Sequence, residues 1–215
     1  MKKIFIVGGD GFARECYYNF LLMAEENSSL VFGGFLGHGG YGRTVDYKDC
    51  QCWYVGEVSE HEFKKDEYAV IGAGYPPLRR KIYGDLKIRN IPFFTIHIGN
   101  SFKPSVEIGE ANIFVPPFCP SCNIVIGNGN VFNGDVGIGH DVCIGDFNFF
   151  GSRSNLLGNV LIGNDNTVGT NVVFLPHSKI GNNNKIAPLS AVYKGCKNNA
   201  YLIGNPALKV GIVEQ

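Results

Sequence analysis

IGEANI at residues 108–113 is followed, at intervals of 18 residues, by IGNGNV (126–131), IGDFNF (144–149), IGNDNT (162–167) and IGNNNK (180–185). Between Ile108 and Val192, every sixth residue is bulky and apolar except Pro120. A period of six differs from the 3.6 of a helix and from the alternation of a strand, and it is typical of a repeat coil. We therefore predict a solenoid. Each triangular coil has three six-residue strands joined by tight turns and packs only on its neighbours.

The position four residues after each of these isoleucines is always asparagine. The column consists of Asn112, Asn130, Asn148, Asn166 and Asn184. Stacked strands lie about 4.8 Å apart, a distance at which side-chain amides can bond in a ladder. We predict an inward asparagine ladder along one edge, and the repeated coils predict a prism about 24 Å tall.

The first 98 residues have an α/β rhythm instead of the repeat. Short apolar runs predict strands at residues 3–7, 31–36, 68–71 and 93–96, and helical patterns cover residues 12–26 and 76–90. The sequence therefore predicts a small parallel, Rossmann-like α/β domain over residues 1–98 and a parallel β-helix over residues 99–215. In an open parallel sheet a ligand binds at the carboxyl ends of the strands.

The loop after the first strand partly matches a dinucleotide fingerprint. It reads Gly9-Asp10-Gly11-Phe12-Ala13-Arg14, with Arg14 at the place of the third glycine, and the second strand ends in Gly37-His38 without the acid that would hold a ribose. A helix N-terminus after glycine still suits a diphosphate, either of a cofactor or of a nucleotide sugar. A plain strand-to-helix turn is the alternative. Gly72-Ala73-Gly74-Tyr75 forms a second loop on the same edge.

Composition excludes several classes of function. The 19 Lys and Arg residues balance the 19 Asp and Glu residues, and the pI is about 6.9. A broad polyanion-binding surface is not implied, so we expect no nucleic-acid partner. No apolar run approaches the length of a membrane span and no signal-peptide core opens the chain, so we expect a cytoplasmic protein without a membrane partner.

The seven cysteines are an odd number in a chain without an export signal, which predicts reduced thiols. Cys50 and Cys52 together with Cys119 and Cys122 form the one arrangement that could supply four sulfurs to zinc. The second pair, however, falls within the six-residue register, which already accounts for its spacing. We therefore expect no metal.

His140-Asp141 is the candidate for chemistry on the prism. The stretch from Ala111 to Ser178 contains no Lys or Glu and a single Arg. Histidine suits a general base at neutral pH, and a neighbouring carboxylate fixes its tautomer. The residue 18 positions after His140 is Gly158, whose N–H no side chain of its own covers. A base beside an amide donor is what acyl transfer requires. The alternatives are a solvated turn histidine, or His177 as the base.

The whole chain resembles the bacterial sugar-nucleotide acetyltransferases with a left-handed parallel β-helix, including their sialic acid O-acetyltransferase relatives. The resemblance is carried by Gly8-Gly9-Asp10-Gly11-Phe12-Ala13-Arg14-Glu15, Gly34-Phe35-Leu36, Ile71-Gly72, Gly139-His140-Asp141, Ile144-Gly145-Asp146-Phe147 and Gly204-Asn205-Pro206-Ala207. The left-handedness comes from this resemblance alone, because the general rule for parallel crossovers predicts a right-handed coil.

The resemblance also implies an activity. A homotrimer would bind acetyl-CoA between neighbouring β-helices. The acetyl group would pass directly to the 4-amino group of a nucleotide-linked 4-amino-4,6-dideoxyhexose, a sugar of surface glycans such as O-antigen. His140 would be the base, Asp141 its partner and the Gly158 N–H the oxyanion donor. Lys179, Lys185, Lys194, Lys197 and Lys209 could meet the CoA phosphates.

Binding residues follow from the same resemblance. Those implied for the nucleotide sugar are Gly9, Asp10, Gly11, Phe12, Ala13, Arg14, Gly37, His38, Gly72, Gly74 and Tyr75. Those implied for acetyl-CoA are Phe149, Gly158, Thr170, Ala187, Pro188 and Lys194.

The chain departs from the family pattern at two places. Phe149 stands where members commonly carry a second histidine, nine residues after the base. The acid usual after the second strand is replaced by Gly37-His38, although Asp46 or Asp49 could substitute for it. UDP, dTDP and GDP therefore stay open as the nucleotide. O-acetylation of sialic acid or a related sugar, and a catalytically silent nucleotide-sugar-binding trimer, are the alternative functions.

Overall fold

A computed structural model of the chain describes residues 1–40, 54–97 and 102–213. The chain divides into two compact units, Met1–Ile98 and Gly99–Gln215. Cys50 and Cys52, as well as Asp46 and Asp49, lie outside the described residues, so the hypotheses that involve them stay as predictions. Neither helix in the described ranges is long and apolar enough to cross a membrane.

The first unit is a small parallel sheet with two helices. Its elements are β1 (Lys2–Val7), α1 (Gly11–Glu26), β2 (Leu30–Gly37), β3 (Tyr54–Glu57), β4 (Glu67–Ile71), α2 (Pro76–Ile88) and β5 (Ile96–His97). The first four strands are ordered β3-β2-β1-β4, and β1 pairs in parallel with both β2 and β4. The end of β1 is buried on both faces, which explains its continuous apolar run.

Each helix begins at a residue suited to that position. The Asp10 side chain accepts hydrogen bonds from the N–H groups of Phe12 (3.1 Å) and Ala13 (3.2 Å), so it caps α1. Pro76 and Pro77 open α2, where the missing N–H of proline costs nothing.

Two parts of this unit differ from the sequence prediction. The predicted strand at residues 93–96 is reduced to an isolated bridge between Phe93 and Ala69, and β5 begins only at Ile96. The strand β3 was not predicted, because its four residues contain Gly56 and show no apolar alternation.

The second unit is a left-handed parallel β-helix, as predicted. Its three faces are built from short strands in turn. Face 1 holds β6 (Val106–Ile108), β9 (Ile124–Ile126), β12 (Cys143–Ile144), β15 (Leu161–Ile162), β18 (Lys179–Ile180) and β21 (Gly195–Cys196). Face 2 holds β7 (Ile113–Phe114), β10 (Val131–Phe132), β13 (Phe149–Phe150), β16 (Thr167–Val168), β19 (Lys185–Ile186), β22 (Ala200–Ile203) and β23 (Leu208–Ile212). Face 3 holds β8 (Phe118–Pro120), β11 (Val136–Ile138), β14 (Asn155–Leu156), β17 (Val173–Phe174) and β20 (Ala191–Val192).

The every-sixth-residue column forms the core of the β-helix. The rings of Phe132 and Phe150 stack with centroids 5.0 Å apart and planes inclined by 7°, and Phe114 stacks on Phe132 in the same way. These rings are buried, as are the isoleucines of face 1 from Ile126 onward. The burial of this column confirms that the six-residue period marks the inward positions.

The strands of the coils are shorter than the six residues predicted. Most contain two residues in ladder pairing, because each corner takes a residue in the left-handed backbone region. Asp141 (φ 59°), Asn159 (φ 62°) and His177 (φ 65°) are the examples at one corner. Asparagine and aspartate tolerate this conformation better than most residues, which explains their frequency at the corners.

The asparagine column lies inside the corner between faces 1 and 2, as predicted. Asn148 is buried; its Nδ2 donates to Gly163 O (2.9 Å) and its Oδ1 accepts from the backbone N–H of Asn166 (3.0 Å). The other members repeat this pattern. Each side chain therefore bonds its own coil to the next, and no buried amide of the column is left without a partner.

A second ladder at the same corner was not predicted. The backbone N–H of Asn128 donates to Asp146 Oδ1 (2.7 Å), and that of Asp146 donates to Asn164 Oδ1 (2.7 Å). A β-carbon at Gly127 would lie 2.3 Å from Asp146 Oδ1. The glycine of each Ile-Gly pair is therefore required because the side chain of the following coil occupies that space.

The C-terminal end of face 2 is closed differently. Strand β23 pairs with β22 in antiparallel orientation, with a register shift between Tyr201 and Leu202. The six-residue register has ended by this point, so the sequence pattern did not reveal the hairpin.

Candidate active site

His140 and Asp141 lie at the corner between β11 and β12, which we call the His140 corner (residues 139–142). Asp141 takes the left-handed conformation of this corner, and its N–H donates to the carbonyl of Cys122 in the preceding coil (3.0 Å). Both side chains point outward: that of His140 is 57% exposed and that of Asp141 47%. The predicted outward projection of His140 is confirmed.

The two side chains form a direct pair. His140 Nδ1 lies 2.7 Å from Asp141 Oδ2. Because a carboxylate can only accept, Nδ1 carries the proton and donates it, which leaves Nε2 of the neutral ring with a free lone pair. This is the tautomer that a general base requires.

Asn123, one coil earlier, also contacts the pair. Its Nδ2 donates to Asp141 Oδ1 (3.1 Å). The hydrogen bonds from His140 first and from Asn123 second hold the pKa of the Asp141 carboxyl below its usual range. Sequence reasoning missed Asn123, although its position 18 residues before Asp141 is a signal that could have revealed it.

Gly158 lies directly against the His140 ring. A β-carbon at Gly158 would be 2.6 Å from both Cε1 and Nε2 of the imidazole. The missing side chain therefore lets the ring lie over the backbone of the next coil, with Nε2 beside residue 158. The structure brings together all three residues that the sequence nominated for catalysis.

Some backbone N–H groups at this corner are bonded, such as that of Asp141, and others have no acceptor among the described residues. At the corner between faces 1 and 2, the equivalent amides of Asn128 and Asp146 are covered by side chains of the following coil. The N–H groups of His140 and Gly158 have no acceptor among the described residues, and Pro176, next in the column, has no N–H to offer. Two amide donors without an acceptor among the described residues, those of His140 and Gly158, thus belong to the same column as the imidazole.

The residues implied for acetyl-CoA lie at several places around the prism. Thr170 and Pro188 share the corner between faces 2 and 3, where the N–H of Leu189 donates to Thr170 O (3.0 Å), and Ala187 adjoins them. Phe149 lies half-buried on face 2, between Val131 and Thr167. The backbone carbonyl of Lys194 accepts from the N–H of Lys179 beside face 1 (3.0 Å). Within one protomer only Gly158 of this set adjoins His140.

In the first unit, the predicted nucleotide-sugar residues gather at the carboxyl edge of the sheet. A β-carbon at Gly8 (φ +139°) would lie 2.8 Å from Gly72 O, and one at Gly72 would lie 2.9 Å from the Ala13 Cβ. The loop after β1 and the loop after β4 therefore touch. Gly74 follows in the second loop, and Tyr75, 60% exposed, is the N-cap residue of α2.

The first turn of α1 is already capped. Asp10 occupies the N–H groups of Phe12 and Ala13, which are donors that a phosphate at this helix end would use. The Glu15 carboxyl has a raised pKa because of partial burial and the nearby Asp10 charge, with Arg14 acting in the opposite direction. A diphosphate here would have to compete with the Asp10 carboxylate.

Arg79 supports the loop after β4 from within the fold. Its guanidinium is fully buried and donates to the carbonyls of Ile71 and Ala73. Burial lowers the pKa of Arg79 to about 10 and raises that of the adjoining Cys16 thiol to about 12. No sequence pattern indicated this role, since an arginine in an amphipathic helix is usually solvated.

At the end of β2, Gly37 and His38 lie beside different acidic residues. His38 Nε2 lies 2.8 Å from Asp85 Oδ2 of α2. Gly37 pairs with Glu57, the last residue of β3, and a β-carbon at Gly37 would lie 2.6 Å from Glu57 Oε1. Glu57 was not among the predicted site residues, because β3 itself was not predicted.

Within residues 1–40, 54–97 and 102–213, no three His, Cys, Asp or Glu side chains are grouped as a metal site requires. The four-cysteine zinc alternative depends on Cys50 and Cys52, which lie outside these ranges.

Comparison with known proteins identifies relatives of the repeat and of the fold. The family model "Bacterial transferase hexapeptide (six repeats)" matches residues 159–194. No curated protein sequence matches the chain. The predicted resemblance to hexapeptide-repeat transferases is thus confirmed for the repeat and the fold, while nothing specifically supports the sialic acid O-acetyltransferase branch.

Solved structures match along nearly the whole chain. A mutant of perosamine N-acetyltransferase from Caulobacter crescentus, in complex with CoA and GDP-perosamine, shares 19% identity over 98% of both chains with a TM-score of 0.82. The acetyltransferase domain of PglB from Neisseria gonorrhoeae FA1090, in complex with acetyl coenzyme A, shares 16% identity over 97% of this chain and 99% of that domain, with a TM-score of 0.84. WeeI from Acinetobacter baumannii AYE shares 21% identity over 98% of this chain and 100% of its own, with a TM-score of 0.80.

Proposed function

We propose that this protein is an acetyl-CoA-dependent N-acetyltransferase acting on the 4-amino group of a nucleotide-linked 4-amino-4,6-dideoxyhexose, a building block of surface glycans such as O-antigen. The observation that carries the proposal is the His140 corner. It places an imidazole with a free Nε2, oriented by Asp141, against a glycine whose N–H has no acceptor among the described residues. The structural matches that hold CoA or acetyl-CoA support the co-substrate.

The chemistry needs no covalent acetyl-enzyme. The amine nitrogen attacks the thioester carbonyl carbon, and the carbonyl oxygen, as it becomes negative, accepts a hydrogen bond from the Gly158 N–H. His140 Nε2 takes a proton from the attacking nitrogen. The C–S bond then breaks, and the His140 imidazolium returns its proton to the departing sulfur, so CoA leaves as a thiol. Asp141 holds the ring tautomer and stabilises the imidazolium that forms, while Asn123 positions Asp141.

We propose a homotrimer as the working form. Thr170, Ala187 and Pro188 are separated from the His140 corner by a whole face, about 20 Å for six extended residues. A neighbouring protomer set against the corner can supply these residues to the same acetyl-CoA. The outward side chains of Val125 and Leu161 on face 1 support this arrangement, because both are apolar and more than two-fifths exposed. Phe149 and Lys194 belong to the same proposed acetyl-CoA surface.

The nucleotide part of the acceptor is assigned to the first unit. The support is the contact between the loop after β1 and the loop after β4, at the sheet edge where open parallel sheets bind ligands. The groups available to it are Gly9, Gly11 and Arg14 of the first loop, Gly72, Gly74 and Tyr75 of the second, and Gly37 with His38 at the end of β2. Asp10, Phe12 and Ala13 form the helix cap that a diphosphate must adjoin.

Thiol release tests the proposal. Purified protein is incubated with acetyl-CoA and UDP-, dTDP- or GDP-linked 4-amino sugars, with sialic acid as a hydroxyl acceptor, and free CoA is followed with a thiol reagent. We expect release with one class of nucleotide amino sugar. Release with sialic acid alone would support the O-acetyltransferase instead. No release with any acceptor would contradict both enzyme functions and support the catalytically silent nucleotide-sugar-binding trimer.

The variant His140→Asn tests the base. An amine carries its own lone pair, so an N-acetyltransferase keeps part of its rate in this variant, whereas transfer to a hydroxyl is abolished. His177→Asn is the matched control, because His177 is exposed at the same corner of a later coil. A rate that falls in His177→Asn and is unchanged in His140→Asn would contradict the assignment.

A further inference from the structure

The carboxylate of Glu57 reaches from β3 to the end of β2, where a side chain of residue 37 would stand. We infer that Glu57 accepts a hydrogen bond from the ribose 2′-hydroxyl of the bound nucleotide, so that the protein selects ribonucleotide-linked sugars over deoxyribonucleotide-linked ones. The inference rests on the proposed function and narrows its acceptor to the UDP or GDP class.

The geometry begins with the pairing of the two strands. Gly37 and Glu57 are partners in the parallel ladder between β2 and β3, and each is the last residue of its strand. The side chains of such partners lie on the same face of the sheet. Gly37 has none, and Glu57 Oε1 fills the space, 2.6 Å from where a β-carbon would be.

The carboxylate is held in place. Glu57 is 9% exposed, and the Tyr54 hydroxyl donates to its Oε1 (3.3 Å). Burying a carboxylate is costly unless it accepts hydrogen bonds, so a buried acid at the ligand-binding edge of a sheet is typical of a functional residue. A carboxylate can accept several hydrogen bonds at once, so Glu57 can accept one from a ligand in addition to that from Tyr54.

The chemistry of this position follows from parallel nucleotide-binding sheets in general. In such folds an acid about 20 residues after the glycine loop accepts from the ribose 2′-hydroxyl. This chain has Gly37-His38 at that point, and His38 is paired with Asp85. The acid is therefore supplied from the neighbouring strand, and glycine at residue 37 is what makes room for it.

A deoxyribose lacks the 2′-hydroxyl that would donate a hydrogen bond to Glu57. Binding a 2′-deoxynucleotide leaves the buried carboxylate without this partner, and sites built around a hydroxyl discriminate strongly against ligands that lack it. UDP- and GDP-linked sugars carry the 2′-hydroxyl, whereas dTDP-linked sugars do not.

Calorimetric titration of the full-length protein with matched nucleotides tests the inference. UDP is compared with 2′-deoxy-UDP, and GDP with 2′-deoxy-GDP, so that only one hydroxyl differs within a pair. We expect the preferred ribonucleotide to bind about 10- to 100-fold more tightly than its deoxy form, the range for a hydrogen bond to a charged group. Glu57→Gln keeps the shape but not the charge, and should reduce that ratio about five- to tenfold.

Two further variants separate this role from a structural one. Gly37→Ala leaves Glu57 in the chain but displaces its carboxylate, and should reduce the same ratio. Glu60→Gln changes an exposed acid three residues away and should leave the ratio unchanged. Equal binding of ribo and deoxy forms, an unchanged ratio in Glu57→Gln, or no nucleotide binding would each overturn the inference.

The outcomes also separate this inference from the proposed function. Thiol release without a ribose preference overturns the role of Glu57 and leaves acetyl transfer intact. A ribose preference without thiol release supports Glu57 and counts against the enzyme.

Discussion

The imidazole of His140 lies against the backbone of Gly158, so closely that a β-carbon at residue 158 would be 2.6 Å from its Nε2. The backbone at Gly158 is not in the left-handed region, so alanine fits the main chain and conflicts only with the ring. Gly158→Ala should therefore displace His140 from the acetyl group without unfolding the coil. We expect kcat/KM to fall about 100-fold, the effect of a misplacement of about 1 Å.

Gly84→Ala is the control for that experiment. A β-carbon at Gly84, within α2, would meet nothing within 4 Å, so activity should be unchanged and stability should rise by up to about 1 kcal/mol. Full activity in Gly158→Ala would contradict the placement of His140 as base.

Asn123 should position Asp141. In Asn123→Ala the pKa of Asp141 rises toward its ordinary value, because one of the hydrogen bonds that lower it is lost. A group with a depressed pKa keeps its charge as pH falls until that pKa is reached, so the variant should lose the Asp141 charge at higher pH than wild type. Carboxyl ¹³C NMR follows this titration directly, and kcat should fall a few-fold.

The matched control is Asn171→Ala. Asn171 takes the same left-handed conformation (φ 56°) at another corner, so alanine carries the same backbone cost there without touching Asp141. An equal change of the Asp141 titration in both variants would contradict a positioning role for Asn123.

Two serines inside the β-helix should respond oppositely to the same substitution. The Ser178 hydroxyl is the one buried side-chain oxygen or nitrogen in the described residues without a hydrogen-bond partner. The buried residue at the equivalent position of the preceding coil, 18 residues earlier, is Val160. Ser178→Val should raise the free energy of unfolding by about 1–2 kcal/mol. Ser154 Oγ lies within bonding distance of Gly151 O (2.8 Å) and Gly169 O (2.9 Å).

Ser154→Val should therefore lower the free energy of unfolding by about 1–3 kcal/mol, since the valine leaves buried carbonyls with fewer partners. Urea titration of both variants measures the difference. A change of the same sign in both would show that the hydroxyl contacts do not determine stability at these positions.

Because the Cys16 thiol is buried, we expect the free energy of unfolding to fall at alkaline pH. Burial raises its pKa from 9.0 to about 12, so between pH 9 and 10 the unfolded chain releases a proton that the folded chain keeps. Stability then falls as pH rises, with a limiting slope of about 1.4 kcal/mol per pH unit from this group. Above pH 10 the lowered pKa of Arg79 acts with the opposite sign.

Urea titrations at pH 8, 9 and 10 measure this effect, with Cys16→Ala as the reference that lacks the thiol. Iodoacetamide should modify Cys16 in the unfolded chain and not in the folded one. Equal slopes for wild type and Cys16→Ala would contradict the shift.

The β-helix was predictable because its six-residue period shows which side chains point inward. Ile126 and Phe132 belong to the core for that reason. The ladder through Asn128 and Asp146 was missed because it joins the backbone of one coil to a side chain of the next, and its column mixes Glu, Asn and Asp. The same limit hid Asn123, since a contact between coils appears in the sequence only as a spacing of 18.

The first unit was harder to predict because its site depends on contacts between distant segments. That Asp10 caps α1 could have been predicted from its position before the helix. That Glu57 lies beside Gly37 could not, since it depends on β3 pairing with β2 across a long connection. The burial of Arg79 depends likewise on two carbonyls of another element.

The two ladders at the corner between faces 1 and 2 run in opposite directions. Asn130 accepts from the N–H of Asn148 in the coil that follows, whereas the N–H of Asp146 donates to a side chain, Asn164, of its following coil. On the ribosome, each newly emerged coil would hold one acceptor and one donor that only the next 18 residues can satisfy. A nascent chain would then gain its hydrogen bonds one coil at a time, in the order of translation.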